Sequence, residues 1–306
     1  MSLNLLDKTK KLCKLYDIHP ARSKGQNFLI KEEIYDKIIE AAELKSDDVV
    51  LEVGPGLGFL TAKLAKRAGR VIAVELDDKL AEVLRTGLKA QNIKNVEVVN
   101  QNILDLSEAE LLEPRSSASD RRHGEEREYK IVANLPYNIS SVFLRKFLGE
   151  AEIKPELMVL MLQKEVAERI AAKPGKMSLL AVSAQFYAGP EIIEYVPKEN
   201  FWPQPEVDSA IIRLRVPNSK FPARLASRDE AGGQVTSERE FFHLVKIGFS
   251  ARRKMLKNNL AAGFHVSQKT AEKWLTSAGF GQKIRAQELS VEDWIRLLGE
   301  VGRNMV

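Results

Sequence analysis

The sequence has few of the features that build disulfide-bonded, metal-binding or membrane proteins. Cys13 is the only cysteine among 306 residues, so no internal disulfide can form. The four histidines lie far apart and have no cysteine neighbours, which argues against a metal site. No segment approaches the roughly 18 consecutive apolar residues of a membrane span, and no apolar segment of a secretory signal follows the lysine-rich N-terminus. We therefore expect a cytoplasmic protein without a metal.

Basic residues are concentrated in two stretches, although the net charge is only +5. The N-terminal arm, residues 1–31, contains seven lysines and arginines and two acids, and residues 238–260 contain six basic residues and two acids. Such stretches suit a phosphate backbone, but they also occur as solvated helix faces. Charge alone leaves both interpretations open.

Strand-like and helical patterns alternate over the first two thirds of the chain. Apolar strand patterns occur at 49–53, 71–75, 96–99, 130–134, 157–162, 191–196 and 209–216. Helical periodicity occurs at 34–42, 59–68, 78–90, 140–148, 163–172 and 179–187. This alternation predicts an α/β fold with a doubly wound, mostly parallel sheet.

Two polar stretches interrupt the alternation. Residues 115–128 carry four bases and four acids and no large aliphatic residue, which predicts an exposed insertion. Residues 218–237 are rich in polar residues and glycine, which predicts a linker. Only helical patterns follow it. We therefore expect one α/β domain over residues 1–217 and a small all-helical domain over residues 238–306.

A glycine-rich turn, Gly54-Pro55-Gly56-Leu57-Gly58, follows the first of these strands. Many tight strand-to-helix turns use glycine, so the turn alone is a weak signal. A dinucleotide-binding fingerprint would have glycine where this chain has Phe59, and no P-loop lysine follows. Glu75 ends the next strand, 21 positions after Gly54, where a carboxylate can accept hydrogen bonds from ribose hydroxyls. Together these features indicate a nucleoside cofactor without a pyrophosphate, and favour S-adenosylmethionine over NAD.

Asn102 lies just past the strand at 96–99. Its side-chain oxygen could accept a hydrogen bond from N6 of the cofactor adenine while its amide donates to N1. The alternative is an ordinary loop asparagine.

The segment Asn134-Leu135-Pro136-Tyr137 lies at the carboxyl end of a predicted strand, where open parallel sheets bind ligands. The Asn134 side-chain oxygen and the Leu135 carbonyl can each accept one hydrogen of an exocyclic amine, which aims its lone pair at a methyl donor. Pro136 stiffens the turn, and Tyr137 offers a stacking face worth about 1–3 kcal/mol per base. A buried structural turn is the competing interpretation.

Phe201 begins a second aromatic turn and could cover the other face of the target base. A base held on both faces must be unpaired or flipped out of a helix. The alternative is an aromatic ring packed under a proline loop.

Several motifs together resemble one family, the small-subunit ribosomal RNA adenine N6,N6-dimethyltransferases. In the first two thirds of the chain they are Gly25-Gln26-Asn27-Phe28-Leu29, Glu52-Val53-Gly54-Pro55-Gly56-Leu57-Gly58, Asn134-Leu135-Pro136-Tyr137-Asn138-Ile139-Ser140-Ser141 and the segment from Phe201 to Ala210. Phe249-x-x-Arg252-Arg253-Lys254-x-Leu256 and Arg285-Ala286-Gln287-Glu288-Leu289-Ser290 resemble the family's helical C-terminal domain. The resemblance covers nearly the whole chain.

The resemblance implies a class I, Rossmann-like methyltransferase that uses S-adenosylmethionine and releases S-adenosylhomocysteine. Its substrate would be two adjacent adenosines in the hairpin loop near the 3′ end of small-subunit rRNA, within an immature subunit, and the enzyme would be a monomer. The expected cofactor contacts are Gln26, Asn27, Leu29, Gly54, Gly56, Gly58, Glu75, Leu76, Asn102, Ile103 and Asn134. The expected RNA contacts are Arg22, Lys24, Arg252, Arg253, Lys254 and Lys257.

The chain departs from the family pattern at two places. The family commonly has aspartate where this chain has Asn102, so we expect weaker or altered cofactor contact there rather than inactivity. The insertion at 115–128 is also unusual for the family. Two other functions remain open: an antibiotic-resistance methyltransferase of large-subunit rRNA, and a non-catalytic RNA-binding, assembly or transcription factor.

Overall fold

The computed structural model describes residues 4–20, 26–112, 128–136, 139–217, 237–251 and 253–305. The predicted insertion at 115–128 lies outside these ranges apart from Glu128, and the predicted linker at 218–237 lies outside them apart from Ser237. The chain divides into two compact units. The first comprises Met1–Ala167 and Gly189–Val216, and the second Glu168–Ala188 and Pro217–Val306.

The first unit is built on a sheet that has seven strands within the described residues. In chain order, and with the two strands of a smaller sheet included, the strands are β1 (Phe28–Leu29), β2 (Val49–Val53), β3 (Arg70–Val74), β4 (Val96–Val99), β5 (Lys130–Asn134), β6 (Leu157–Gln163), β7 (Gly189–Val196), β8 (Phe201–Trp202) and β9 (Ser209–Arg215). The large sheet has the order β4-β3-β2-β5-β6-β9-β7. Pairing is parallel from β4 to β6, and β9 runs antiparallel to both β6 and β7. The predicted α/β, mostly parallel sheet is confirmed.

The strand order places the switch in winding direction between β2 and β5. From β2 the chain first winds outward through β3 and β4, and it then crosses back to β5 on the other side of β2. Ligands of open parallel sheets bind at the carboxyl ends of the strands at such a point. Val53 at the end of β2 lies opposite Ala133 of β5 in the parallel register. The glycine turn and Asn134 therefore leave the sheet side by side.

Helices accompany the sheet of the first unit. They are α1 (Leu5–Leu15), α2 (Glu32–Ala41), α3 (Phe59–Leu64), α4 (Asp78–Ala90), α5 (Glu108–Leu112), α6 (Ser140–Leu144) and α7 (Lys164–Ile170), of which α7 continues into the second unit after Ala167. The α4 helix begins after Asp77, whose side chain accepts hydrogen bonds from two backbone N–H groups of the first turn. The sequence pattern suggested that α3 continues to residue 68, but it ends at Leu64. The α6 helix continues as a π-helix over Arg145–Glu150.

The second unit is helical. Its helices are α8 (Leu179–Tyr187), α9 (Glu238–Gly248), α10 (Leu256–Gly263), α11 (Gln268–Ser277) and α12 (Val291–Met305). Trp274 and Trp294 are fully buried in its core. Phe186 of α8 stacks on Phe241 of α9, with ring centroids 4.4 Å apart. None of the helices in the described parts of the chain is long and apolar enough to cross a membrane.

The packing of α8 bears on the expected domain limits. The sequence pattern assigned residues 168–188 to the α/β domain, whereas the structure groups them with the C-terminal helices. The reason is the apolar face of α8, where Val182 and Phe186 belong to the same buried cluster as Phe241. The domain limits at residues 217 and 238 remain a prediction. The two compact units differ from the predicted domains in the placement of residues 168–188.

Gly248 ends α9 at a site with no room for a side chain. A Cβ at position 248 would overlap the six-membered ring of Trp294. Gly299 lies within α12 of the same unit, and the nearest atom to a Cβ there would be the Arg303 Nη2, 4.0 Å away. The two glycines therefore provide a matched pair for testing the core of the second unit.

We expect Gly248→Ala to lower the free energy of unfolding by about 1–3 kcal/mol, because the added methyl forces Trp294 out of its packed position. Gly299→Ala should be neutral or should stabilise by about 0.5–1 kcal/mol, since alanine is the better helix former. Denaturant unfolding followed by tryptophan fluorescence measures both changes. Equal stability of the two variants would contradict the packing described here.

Candidate active site

The glycine turn and Asn134 lie next to each other at the carboxyl edge of the sheet. Gly54 has a φ of 67°, and its N–H donates to the Val74 carbonyl at 3.0 Å. A Cβ at this position would lie 3.6 Å from the Asn134 backbone carbonyl oxygen and 3.8 Å from Pro136 Cδ. The ends of β2, β3 and β5 therefore form one continuous surface.

The other two glycines of the turn also adopt left-handed conformations, with φ of 57° at Gly56 and 82° at Gly58. A Cβ at Gly58 would lie 2.5 Å from Leu84 Cδ1, and a Cβ at Gly56 would lie 3.3 Å from Phe28 Cε1. Side chains are therefore disfavoured here both by backbone strain and by crowding. The turn keeps the start of α3 close to β2 and leaves its backbone open to a ligand.

A cavity of about 310 Å³ opens at this edge of the sheet. The expected cofactor residues that line it are Gln26, Asn27, Leu29, Gly54, Gly56, Glu75, Leu76, Asn102, Ile103 and Asn134. The expected catalytic residues that line it are Asn134, Leu135, Pro136 and Phe201. Gly58 belongs to the adjoining turn rather than to the wall.

Four residues of the expected sites lie outside the described residues: Arg22, Lys24, Tyr137 and Arg252. Arg253 and Lys254 are exposed on the second unit. Lys257 forms an ion pair with Glu272, with the Nζ 2.6 Å from Oε1.

Glu75 joins the glycine turn to the start of α4. Its Oε2 accepts from the Gly56 N–H at 3.1 Å, and its Oε1 accepts from the Asp77 N–H at 2.9 Å. The side chain is 6% exposed, and burial raises the pKa of its carboxyl. Each carboxylate oxygen has a second lone pair, so the group can also accept from a ligand hydroxyl.

The side chain of Asn102 makes two local hydrogen bonds. Its Oδ1 accepts from the Leu104 N–H at 3.1 Å, and its Nδ2 donates to Asp105 Oδ2 at 3.0 Å. From the sequence, this amide could pair with adenine or belong to an ordinary loop asparagine. In the structure one lone pair and one hydrogen are already used within the loop, and one of each is left for a ligand.

Tyr35 and Glu52 are among the cavity residues that had no role assigned from sequence. Tyr35 lines the cavity, and its hydroxyl donates to the Leu29 carbonyl at 3.0 Å, which fixes β1 against α2. Glu52 lies in the middle of the apolar strand β2, is 1% exposed and also lines the cavity. Among the described residues, neither carboxyl oxygen of Glu52 has a hydrogen-bond partner. Desolvation raises the pKa of this carboxyl to about 8; the nearby Thr61 hydroxyl opposes the shift, and the charge of Glu75 adds to it.

A signal for Glu52 was present in the sequence. A single acid within the apolar run Val-Val-Leu-Glu-Val is not expected in a strand that only builds a core. A buried carboxyl without a protein partner, facing a cavity, is suited to a cationic or hydrogen-bonding ligand group.

Comparison with known proteins identifies the family of the chain. The family model described as "Ribosomal RNA adenine dimethylase" matches residues 19–301. The chain belongs to this family. The ribosomal RNA small subunit methyltransferase A of Dehalococcoides mccartyi is 44% identical over 291 residues, which covers 95% of this chain and 91% of that protein. The protein of the same name from Enterococcus faecalis is 37% identical, covering 97% of this chain and 95% of its own length.

Two solved structures of related proteins share the fold. A dimethyladenosine transferase from Plasmodium falciparum has 26% identity and a TM-score of 0.69, and the match covers 90% of this chain and 98% of that one. The 23S rRNA methyltransferase ErmE has 28% identity and a TM-score of 0.67, with 89% of this chain and 98% of that one covered. The family fold predicted from the motifs is thus confirmed over most of the chain.

The Glu52 carboxyl should make stability depend on pH. In the unfolded chain it loses its proton near its ordinary pKa of 4.5, whereas in the folded chain it keeps the proton to about pH 8. The folded state therefore binds more protons in this window, and the free energy of unfolding falls as pH rises through it.

We expect Glu52→Gln to gain stability relative to the wild type as pH rises from about 5 to about 8. Denaturant midpoints measured across this range for both proteins give the difference. Glu82→Gln, which removes an exposed glutamate of α4, serves as a matched control for the loss of one carboxyl. A difference between Glu52→Gln and wild type that stays constant with pH would show that the folded carboxyl is already ionised.

Proposed function

We propose that this chain is an S-adenosylmethionine-dependent rRNA adenine N6,N6-dimethyltransferase. Its substrate is a pair of adjacent adenosines in the 3′-terminal hairpin loop of small-subunit rRNA, each methylated twice. Membership of the dimethylase family supports the reaction, and the small-subunit relatives at 42–44% identity support the substrate. The observation that carries the proposal is the position of Asn134 next to the glycine turn, beside Glu75, around one cavity.

The residues of the cavity fit S-adenosylmethionine part by part. Glu75 retains acceptors for the ribose hydroxyls, and Asn102 retains one donor and one acceptor for the adenine edge. Leu76, which is 68% exposed at the cavity, offers an apolar surface for the ring. The unpartnered carboxyl of Glu52 suits the cationic amino end of the methionine moiety. The bound cofactor supplies a methyl group on a sulfonium, which is already an activated leaving group.

Asn134 and Leu135 would hold the target amine. The Asn134 side-chain oxygen and the Leu135 backbone carbonyl each accept one N6 hydrogen, which draws the nitrogen toward tetrahedral geometry. Leu135 is fixed in place because its N–H donates to the Met161 carbonyl at 3.2 Å and its side chain is buried. Because the sulfonium is already activated, this arrangement needs no strong base, and the rate comes from positioning and electrostatics.

Phe201 is expected to cover one face of the target base. It lies on β8, which pairs with β1, so that Phe201 is opposite Leu29 in the register. The ring is buried and lines the cavity. Tyr137, expected on the other face, lies outside the described residues and remains a prediction from the motif.

The RNA-binding surface of the second unit is proposed at the loop between α9 and α10. Asn259 is 3% exposed, and its Nδ2 donates to the Gly248 carbonyl at 2.6 Å and to the Ala251 carbonyl at 3.2 Å. These bonds hold the loop that presents Arg253 and Lys254 to solvent. Lys257 is less available, because Glu272 already compensates its charge.

Two further parts of the proposal concern the cellular context. The binding partner would be an immature small subunit, approached by a monomer in the cytoplasm. The alternative function is an antibiotic-resistance methyltransferase of large-subunit rRNA, which the similarity to ErmE supports. Identity to ErmE is 28%, against 44% to a small-subunit relative, so the small-subunit substrate is favoured.

A methyl-transfer assay tests the function directly. Purified protein and labelled S-adenosylmethionine are incubated with small subunits that lack the modification and, separately, with unmodified large subunits. Label in N6,N6-dimethyladenosine at two adjacent positions of small-subunit rRNA supports the proposal. Label in large-subunit rRNA alone would establish the alternative, and label in neither would leave only a binding role.

We expect Asn134→Ala to reduce kcat by about 100-fold or more, because the amine loses an acceptor that aligns its lone pair. The variant should still bind unmodified small subunits, which separates catalysis from a purely binding role. Single-turnover methyl transfer and subunit co-sedimentation measure the two properties. Near-wild-type transfer by a folded Asn134→Ala protein would rule out the assigned role.

We expect the double variant Arg253→Ala/Lys254→Ala to bind rRNA with a weaker dependence on salt. Each lost phosphate contact should reduce the slope of log K against log salt by about 1. Lys269→Ala/Lys273→Ala removes the same charge from exposed positions of α11 and is the matched control. An identical slope for wild type and the Arg253/Lys254 variant would exclude these two residues from the interface.

A further inference from the structure

The loop that follows β4 is held by hydrogen bonds from three directions. The Asp105 N–H donates to the Asn102 backbone carbonyl at 3.0 Å, and the Leu104 N–H donates to Asn102 Oδ1 at 3.1 Å. The Lys146 Nζ donates to the Leu104 carbonyl at 2.8 Å, which ties the loop to the helical segment after α6. The loop is therefore fixed where Asn102 and Ile103 reach the cavity wall.

The orientation of the Asn102 amide is determined by its two partners. The Leu104 N–H can only donate, so the atom facing it must be the side-chain oxygen. A carboxylate such as Asp105 accepts, so the atom facing it at 3.0 Å must be the side-chain nitrogen. A flipped amide would place oxygen against oxygen and N–H against N–H, losing both bonds.

A fixed amide has a fixed pattern of unused hydrogen-bonding groups. After its two local bonds, Asn102 keeps one lone pair on Oδ1 and one hydrogen on Nδ2. An adenine edge presents an N6 hydrogen beside the N1 lone pair, which is the complementary pattern. A hypoxanthine edge presents an oxygen beside an N–H, which is the reverse pattern and matches only a flipped amide.

We propose that Asp105 is a positioning residue that makes the cavity selective for an adenine nucleoside by fixing the Asn102 amide. The proposal rests on the proposed function, because it takes the ligand of this cavity to be S-adenosylmethionine. Asp105 is exposed and acts only through Asn102. Asn102 and Asp105 form a matched pair, since aspartate at position 102 would bring two carboxylates to within hydrogen-bonding distance.

Calorimetric titration with S-adenosylhomocysteine and with its deaminated analogue, S-inosylhomocysteine, tests this role. We expect the wild type to prefer the adenine compound, and Asp105→Ala to reduce that preference about threefold to tenfold, because only the Leu104 N–H then opposes a flip of the amide. Asp47→Ala removes an exposed aspartate that precedes β2, at the opposite edge of the sheet, and should leave the preference unchanged. If Asp105 only supported folding, Asp105→Ala would leave the ratio of the affinities for S-adenosylhomocysteine and S-inosylhomocysteine unchanged.

A double-mutant cycle provides the second measurement. Asn102→Asp should weaken binding of S-adenosylhomocysteine, and Asn102→Asp/Asp105→Asn should recover the part of the loss that comes from repulsion between the two carboxylates, since aspartate at position 102 still lacks a donor for N1. Additive losses in the cycle, or an equal effect of Asp105→Ala on both ligands, would overturn the role of Asp105. A wild type that binds S-inosylhomocysteine as well as S-adenosylhomocysteine would overturn it too. A wild type that binds neither compound would instead overturn the proposed function, and this inference with it.

Discussion

The parallel pairing of β2 with β5 is the constraint on which the site depends. The two strands are about 80 residues apart in sequence, yet their register places Val53 opposite Ala133, so both strands leave the sheet at the same level. The glycine turn then passes beside the Asn134 carbonyl, and the left-handed conformation of Gly54 favours a residue without a side chain there. A change in register of one residue would move Asn134 to the other face of the sheet and separate it from the turn.

The cavity at this edge is built at a cost in stability. Gly54, Gly56 and Gly58 adopt left-handed conformations, and two glutamates lie buried beside them with pKa values raised by desolvation. A protein selected only for stability would replace Glu52 by an apolar residue, because its carboxyl oxygens have no partners among the described residues. Unsatisfied buried polar groups are characteristic of binding sites, and here they occur at the same 310 Å³ cavity as a turn that only glycine adopts without strain.

The sequence predicted the elements that long apolar runs and glycine spacing encode, and it missed those that depend on distant contacts. The strands β2, β3 and β5 are continuous buried runs, so their position and the turn after β2 were evident. The two-residue strands β1 and β8 have no periodicity to detect and exist only because Phe28 and Leu29 meet Trp202 and Phe201. Likewise, the pattern of α8 predicted a helix but not the helices it packs against, because helical periodicity does not identify the neighbouring elements. The local bonds of Asn102 were equally hidden, since they depend on the conformation of the loop.

Cofactor recognition and RNA binding are encoded in separate parts of the chain. Every residue that lines the described cavity belongs to the first unit, whereas Arg253, Lys254 and the Asn259 bonds that hold their loop belong to the second. Each site is supported by buried groups of its own unit, Glu75 and Tyr35 in one and Trp294 and Asn259 in the other. Substitutions at one site should therefore be energetically independent of substitutions at the other, because residues without shared partners contribute additively. This independence makes it possible to assign a loss of methyl transfer to chemistry or to RNA binding.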